Sequence, residues 1–370
     1  MKVETRRATR SAWLALPVMA LALVALAAPA RAQEAERDTV LLADGTTQTG
    51  TIQSEDFVGL SLKGAGNKVI VIPWNDVRET TYRGQDDYNA AREAFVNNRL
   101  ADAEEAFGRL AGEKSKPVIR QQVLFHLAVL AETAGKTDEA NKAWHDLMTE
   151  FPQGRYLGVA AEALIVGHLA TKDAAGAAAE LAKIETATKD FADFRPTAGL
   201  LKGMVLEVQG KTADARAAYD AAAMAANASP EVKATAALGK ARCLMLEKKP
   251  ADAEPLLRGV VTQDAPVRVL AAAWNGLGDI SMEAGRSAKD ADKLQDALFA
   301  YLRSSVQYLP LPGDSTREYE RALAGSARCF QYIADLEQKP ERRELYTTRS
   351  RQRIEQLRRE YPDSEFLTGL

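Results

Sequence analysis

Three histidines, two cysteines and a few acid pairs are the residues of this chain that chemistry would draw on first. His126, His145 and His168 are 19 and 23 residues apart, which is no spacing for a metal pair on one helix face. His126 and His145 fall in partner helices of one unit and could meet, but packing is their expected role, because no carboxylate-rich ligand motif accompanies them. Cys243 and Cys329 each follow a small residue, Ala241 or Ala327, by two positions. That puts them at equivalent places in different helices. Adjacent helices pack about 8–10 Å apart, so the thiols are expected to lie beyond disulfide reach. Two buried small side chains is the reading, with a bridge in an oxidising compartment as the alternative. The pairs Asp86/Asp87 and Glu104/Glu105 sit at predicted helix starts, where the dipole favours acids. No G-x-S-x-G, H-E-x-x-H or G-x-x-x-x-G-K-[ST] pattern occurs. The expectation is a non-catalytic protein with no cofactor and no metal.

The elements that position these residues come from a repeat. An alanine followed four residues later by a ring or leucine recurs as Ala103/Phe107, Ala140/Trp144, Ala177/Leu181, Ala215/Tyr219, Ala253/Leu257 and Ala297/Tyr301. The alanines are 37, 37, 38, 38 and 44 residues apart. Residues four apart share a helix face, and alanine lets two helix backbones approach. A fixed period of this length predicts stacked helix pairs in place of one closed core. Gly135-Lys136-Thr137 and Gly210-Lys211-Thr212 read as a left-handed stop followed by a Thr cap. Phe151-Pro152 and Tyr361-Pro362 read as helix ends, since proline cannot continue a helix.

These residues resemble tetratricopeptide repeats. Trp274-Asn275-Gly276-Leu277-Gly278 carries the Trp and Leu-Gly signals of that family, and Ala140, Trp144 and Pro152 its Ala, aromatic and Pro signals. Ala128, Gly203, Ala241 and Ala327 stand for the small residue of the first helix. The units are longer than the family's 34 residues, the unit around Ala177 lacks its aromatic, and residues 285–296 read as an insertion. The resemblance implies a mainly α protein, a tetratricopeptide-like α-solenoid of about six to seven helix pairs over residues 86–365, with a tail at 366–370. It also implies a concave partner-binding face lined by Gln122, Glu132, Met204, Arg242, Asn275, Asp279, Arg328 and Gln331. Arg242, Asn275 and Arg328 are the expected clamp for a peptide carboxylate or backbone. The alternative for each is contact with the next repeat.

A different text precedes the repeats. Residues 38–83 lose alanine and gain Val, Ile, Leu and Thr. Strands are predicted at 38–43, 47–53, 57–62, 68–72 and 77–82, with a hairpin turn at Asp44-Gly45. Val69, Ile70, Val71 and Ile72 are apolar on both faces, so their strand is expected to be central. The stretch 42–52 resembles the start of an SH3-like or Sm-like barrel, and five short strands suggest a small all-β barrel. Trp74 is expected to plug its base.

The first 32 residues read as a secretory signal: Lys2, Arg6, Arg7 and Arg10, then an apolar run over 13–28, then Ala30-Arg31-Ala32. Cleavage is expected after Ala32, leaving 33–37 as a linker. A retained anchor is the alternative, although the run is short against the roughly 20 residues of a bilayer span. The bacterial style of the signal places the chain in the periplasm or cell envelope. The whole chain has 48 basic and 51 acidic residues. Five of the basic residues and one acid lie before residue 33, which leaves the remainder at −7. Such a charge argues against nucleic acid.

Against that background residues 339–360 are net +4. Arg342, Arg343, Arg349, Arg351, Arg353, Arg358 and Arg359 form a basic patch that suits peripheral envelope association, or simply the polar outer face of a capping helix. The leading function expected is a protein–protein scaffold or adaptor of the bacterial envelope. The alternatives are a self-associating structural protein and an accessory subunit whose barrel holds a ligand.

Overall fold

The computed structural model describes residues 37–112, 116–310 and 315–370. The expected export signal, and residues 33–36 of the linker, lie outside the described residues. The chain divides into two units. The described part of the first is residues 37–55 and 59–90, and the second is 56–58 and the described residues beyond 90.

The first unit is an antiparallel sheet of β1 (Asp38–Leu42), β2 (Thr47–Glu55), β3 (Gly59–Lys63), β4 (Val69–Pro73) and β5 (Val77–Thr81), ordered β4-β3-β2-β1-β5. The Asp44-Gly45 turn forms as the sequence predicts. Gly45 takes a positive φ, and the Asp44 carboxylate accepts from the Thr46 N–H and hydroxyl at 2.8 and 2.7 Å. Val40, Leu60, Leu62 and Ile72 are buried. Asp38, also buried, accepts from the backbone N–H of Ile52 and of Arg83, both at 2.7 Å. That carboxylate ties the first strand to the second and to the exit from the fifth. Tyr82 donates to buried Glu55 at 2.6 Å and meets Tyr88 edge-to-face. Burial holds the Tyr82 hydroxyl well above its ordinary pKa.

One expectation is corrected here: β4 is an edge strand, not a central one. Its Ile72 points to the core, but Val69 and Val71 are 49% and 62% exposed. Pro73 carries the reason, because a residue without an N–H is tolerated at a sheet edge and not inside a ladder. Trp74 is half-exposed in a short turn between β4 and β5 and does not plug the sheet.

Fourteen helices follow among the described residues. They are α1 (Asp86–Val96), α2 (Leu100–Ala111), α3 (Pro117–Thr133), α4 (Thr137–Glu150), α5 (Leu157–Ala170), α6 (Ala174–Thr188) and α7 (Arg195–Val208), then α8 (Thr212–Met224), α9 (Pro230–Leu246), α10 (Pro250–Val260), α11 (Val267–Ala288), α12 (Ala291–Gln307), α13 (Arg317–Leu336) and α14 (Pro340–Glu360). Along the sequence they alternate as seven first and seven second helices. The anchors all lie on second helices, and every anchor alanine and its partner is buried. Ala128, Gly203, Ala241 and Ala327 are buried on the first helices.

From α3 onward each second helix packs on its own first helix and on the first helix of the following pair. First helices also meet in a row, α5 on α7, α7 on α9, α9 on α11 and α11 on α13. We refer to that row of first helices as the inner side of the array. Phe57 counts with this unit, its ring edge-to-face with Phe191 and Phe194 at 5.6 Å.

The turn inside each pair is the same at six places. A left-handed residue, Asn98, Gly135, Lys172, Gly210 or Lys248, stands five residues before its anchor alanine, and Lys289 stands eight before Ala297. The glycine stops are therefore as expected. The Thr caps are not: α4 and α8 start without a side-chain cap, and Thr212 bonds to Glu247 instead. The expected insertion at 285–296 is no added loop. It lengthens α11 to 22 residues and shifts the turn to Lys289. Pro152 and Pro362 follow the ends of α4 and α14 as predicted.

Candidate functional site

The polar residues expected on the inner side are held at the joints between pairs. Tyr219 of α8 shows the pattern. Its ring lies between Gly203 of α7 and Gly239 of α9, where an added Cβ would come within 2.4 Å of the ring. Only glycine leaves room for a ring pressed between two helices. The Tyr219 hydroxyl donates to Glu207 Oε2 at 2.9 Å. Arg242, from α9, donates to both oxygens of Glu207 at 2.9 and 3.0 Å. A bidentate guanidinium–carboxylate pair is directional as well as strong. Three successive helices are thereby clasped by one ring and one ion pair. Burial raises the Tyr219 pKa far above its ordinary value, so the hydroxyl remains a donor.

A second clasp has the same plan. The Tyr301 ring lies between Gly278 of α11 and Gly325 of α13. Its hydroxyl donates to Asp279, which is also ion-paired with Arg321 of α13. Arg321 reaches Glu318 at 3.3 Å, and buried Asn275 donates to the Glu318 carboxylate and carbonyl at 2.8 Å. A simpler version occurs on α4, where the Trp144 N–H donates to Glu132 at 2.9 Å.

The remaining members of the expected set are placed as follows. Gln122 is buried and accepts from the Tyr156 hydroxyl at 2.6 Å. Met204 packs between two apolar clusters. Arg328 donates to the Thr368 carbonyl at 3.2 Å, and Gln331 to Asp335 at 2.9 Å. Arg242, Asn275 and Arg328 are thus not gathered into one clamp; each holds a different part of the array.

Across the inner row, Arg268 at the start of α11 reaches back to Glu162 of α5. Its two terminal nitrogens donate to the two carboxylate oxygens at 2.7 and 3.0 Å. Glu231 of α9 stands 3.9 Å from the same guanidinium.

His126 and the two cysteines are absorbed by packing, while His145 and His168 are partly exposed. His126 stacks on Phe107 at 4.5 Å, with Phe95 and Phe125 edge-on, and its Nδ1 meets the Gln122 carbonyl at 2.7 Å. Burial brings its pKa down to about 4. His145 faces buried Glu180 at 3.7 Å, and His168 pairs with Asp173 at 3.0 Å. His126 and His145 therefore face different partners. Cys243 and Cys329 are free and buried, each in the cluster of one clasp tyrosine. Burial pushes their thiols up to about 11 and about 12.

The basic helix α14 packs on α13 through Leu357 and through Ser350, whose hydroxyl donates to the Ala327 carbonyl at 2.9 Å. Arg342 pairs with Glu337 at 3.6 Å, Arg343 donates to the Glu337 carbonyl, Arg353 to Gln356 and Arg359 to Glu360. Arg349, Arg351 and Arg358 are exposed.

Sequence reasoning missed Glu207 and Arg321. The first had a signal: Glu207 follows Gly203 by four residues, as Glu132 follows Ala128.

Residues 122–154 match the tetratricopeptide repeat family model. PilW, described as a widely conserved type IV pilus biogenesis factor, is similar in structure, with a TM-score of 0.42 at 17% identity over 67% of this chain and 96% of that one. A tetratricopeptide repeat protein from Parabacteroides merdae has a TM-score of 0.42 at 12% identity, over 72% and 98% of the two chains. The C-terminal part of a repeat-containing protein from Cytophaga hutchinsonii has 0.37 at 13%, over 75% and 96%. No curated protein sequence matches the chain.

Proposed function

We propose that this tetratricopeptide-like solenoid is an exported, non-catalytic adaptor of the bacterial cell envelope that holds protein partners along its row of first helices. The observation that carries the reading is the continuity of that row. First helices touch from α5 to α13, the joints are clasped by Tyr219 and Tyr301, and Arg268 spans from α11 to α5. A surface fixed before binding loses less freedom when a partner arrives. Repeat arrays use such extended surfaces for recognition. His126 and the two cysteines support the same reading, since each is buried in packing. The export signal expected over residues 1–32 supports the location, and a small SH3-like or Sm-like barrel remains our reading of the first unit.

Photo-crosslinking in the envelope tests the proposal. A benzoyl-phenylalanine placed at Met204 or Gln331, on first helices, is expected to capture protein. The same probe at Met224, at the end of a second helix and 83% exposed, is expected to capture none. Crosslinks at Met224 alone would reverse the assignment. The mature chain is expected to begin at Gln33 and to leave cells with the periplasmic contents. Retention in the cytoplasm would remove the envelope role.

A further inference from the structure

The outer side of α12 carries a surface that the inner-row reading does not use. Phe299, Leu302 and Val306 follow the i, i+3, i+7 spacing that puts three apolar side chains on one helix stripe. The opposite side of α12 is buried through Leu294, Ala297 and Tyr301. The stripe is not: Phe299 is 69% and Val306 66% exposed, and Leu302 is half-buried. It borders a groove of about 630 Å³ between α10 and α12, floored by Trp274 and Leu277 of α11. A smaller hollow of about 320 Å³ lies on the other side of Leu302, against α13 and α14.

The charges around this surface are uneven. The Arg303 guanidinium stands 4.8 Å from the centre of the Trp274 ring and, among the described residues, has no carboxylate partner. Arg349 lines the second hollow and is likewise without an ion pair among the described residues. Arg258 in the first groove is already neutralised by Glu254 at 2.7 Å. Asp296 supplies a negative charge at one end of the stripe, seven residues from Arg303. So the apolar stripe, about 10 Å long, is flanked near its middle, beside Leu302, by two uncompensated guanidinium groups, Arg303 on the side of the first groove and Arg349 on the side of the second. Arginine over an aromatic face, with its donors still free, suits a carboxylate delivered by an apolar segment.

We infer that the outer groove of α12 binds a short acidic amphipathic helix of a partner protein. Two or three bulky apolar side chains lie along Phe299, Leu302 and Val306, and carboxylates on either side of the middle one meet Arg303 and Arg349. This is the helix-in-groove mode of recognition. It rests on the adaptor reading and adds a second, separate docking face to it.

The probe is a fluorescein-labelled synthetic helix of about 14 residues with leucines at i, i+3 and i+7 and glutamates on both sides of the middle leucine. Its counterpart has lysine for glutamate. Fluorescence polarisation with the full mature chain is expected to show saturable binding of the acidic helix and at least about tenfold weaker binding of the basic one. Arg303→Glu and Phe299→Asp, both at exposed positions, should each weaken the acidic helix by about tenfold or more. Arg109→Glu, at an exposed position on α2 outside both the groove and the basic patch, should leave it unchanged. Circular dichroism checks that the variants keep their helical signal. Equal binding of the two helices, no binding of either, or indifference to Arg303→Glu overturns the inference. So does binding to phosphatidylglycerol vesicles that is lost in Arg303→Glu while neither helix binds, which would make the patch a lipid contact. Crosslinks at Met204 or Gln331 that persist in Phe299→Asp leave the inner-row reading standing whatever becomes of this one.

Discussion

Arg268 and Glu162 are 106 residues apart and form a two-pronged ion pair across the inner side of the helix array. The pair joins the third helix pair to the sixth and passes over the two between them. Both side chains are partly exposed, at 52% and 32%, so screening keeps its contribution to stability within about 1 kcal/mol. Its larger expected effect is on the separation of α5 and α11, which it ties together. Spin labels on α5 and α11 are expected to move apart in Arg268→Glu, and in the parent protein at high salt, with little change in melting temperature. Unchanged label distances in both cases would show that packing alone sets the bend.

The clasp glycines predict an opposite response at two kinds of position. Gly239→Ala places a methyl against the Tyr219 ring and should cost about 1–3 kcal/mol or more by overpacking. Gly108→Ala, inside α2 with open space around it, should gain up to about 1 kcal/mol from helix propensity. Urea unfolding of the two variants reads both signs. Equal effects would mean that the ring is not confined as described.

The left-handed lysines are a stability reserve. Lys172 and Lys248 take φ of 58° and 59°, in the region that disfavours a side chain by about 1–2 kcal/mol. Lys172→Gly and Lys248→Gly should therefore each stabilise the array by about 0.5–1 kcal/mol, less what is lost through greater unfolded-state freedom. Gly135→Ala and Gly210→Ala, at the equivalent turns, should destabilise it. Thermal unfolding distinguishes these pairs, and the proposal of a shared turn fails if all four substitutions act alike.

His126 gives the protein a pH dependence with a definite sign. Its folded pKa is about 4, because burial among Phe107, Phe95 and Phe125 disfavours the charged ring. Unfolded, the imidazole titrates near about 6.5. Between those values the unfolded chain binds more protons, so the stability associated with the neutral ring is complete above about 6.5 and drains away as pH falls toward about 4. At about 1.4 kcal/mol per pKa unit the full loss is expected to be on the order of 3 kcal/mol. His126→Phe should remove this component, so the difference between parent and variant should change over that window. A constant difference would show that the imidazole is not held neutral.

The array was legible because its signal is periodic. Each anchor alanine and ring repeats at nearly fixed distance, and the pattern reports a buried face wherever it occurs. The β4 strand was misplaced because a run such as Val69–Ile72 has the same composition at an edge as in the middle; Pro73 held the information. The polar joints were only half legible. Arg242 and Asn275 stand out as polar residues on first helices, but their partners Glu207 and Glu318 lie 35 and 43 residues away. Which neighbour comes within reach depends on how one pair rotates on the next, and that is set by packing, not by spacing. The groove beside α12 was invisible for a related reason. It arises where the short α10 lies beside the longer α12, a mismatch between neighbours that neither helix carries alone.

Gly203, Tyr219 and Gly239 sit on three consecutive helices, and no loop can be cut between them without leaving half a socket behind. The heritable module of this chain is thus offset from its visible hairpins. A duplication that copied one hairpin would graft a ring with nowhere to seat, or a bare notch with nothing to fill it. Growth or shrinkage of such an array is restricted to breakpoints that carry the next helix along.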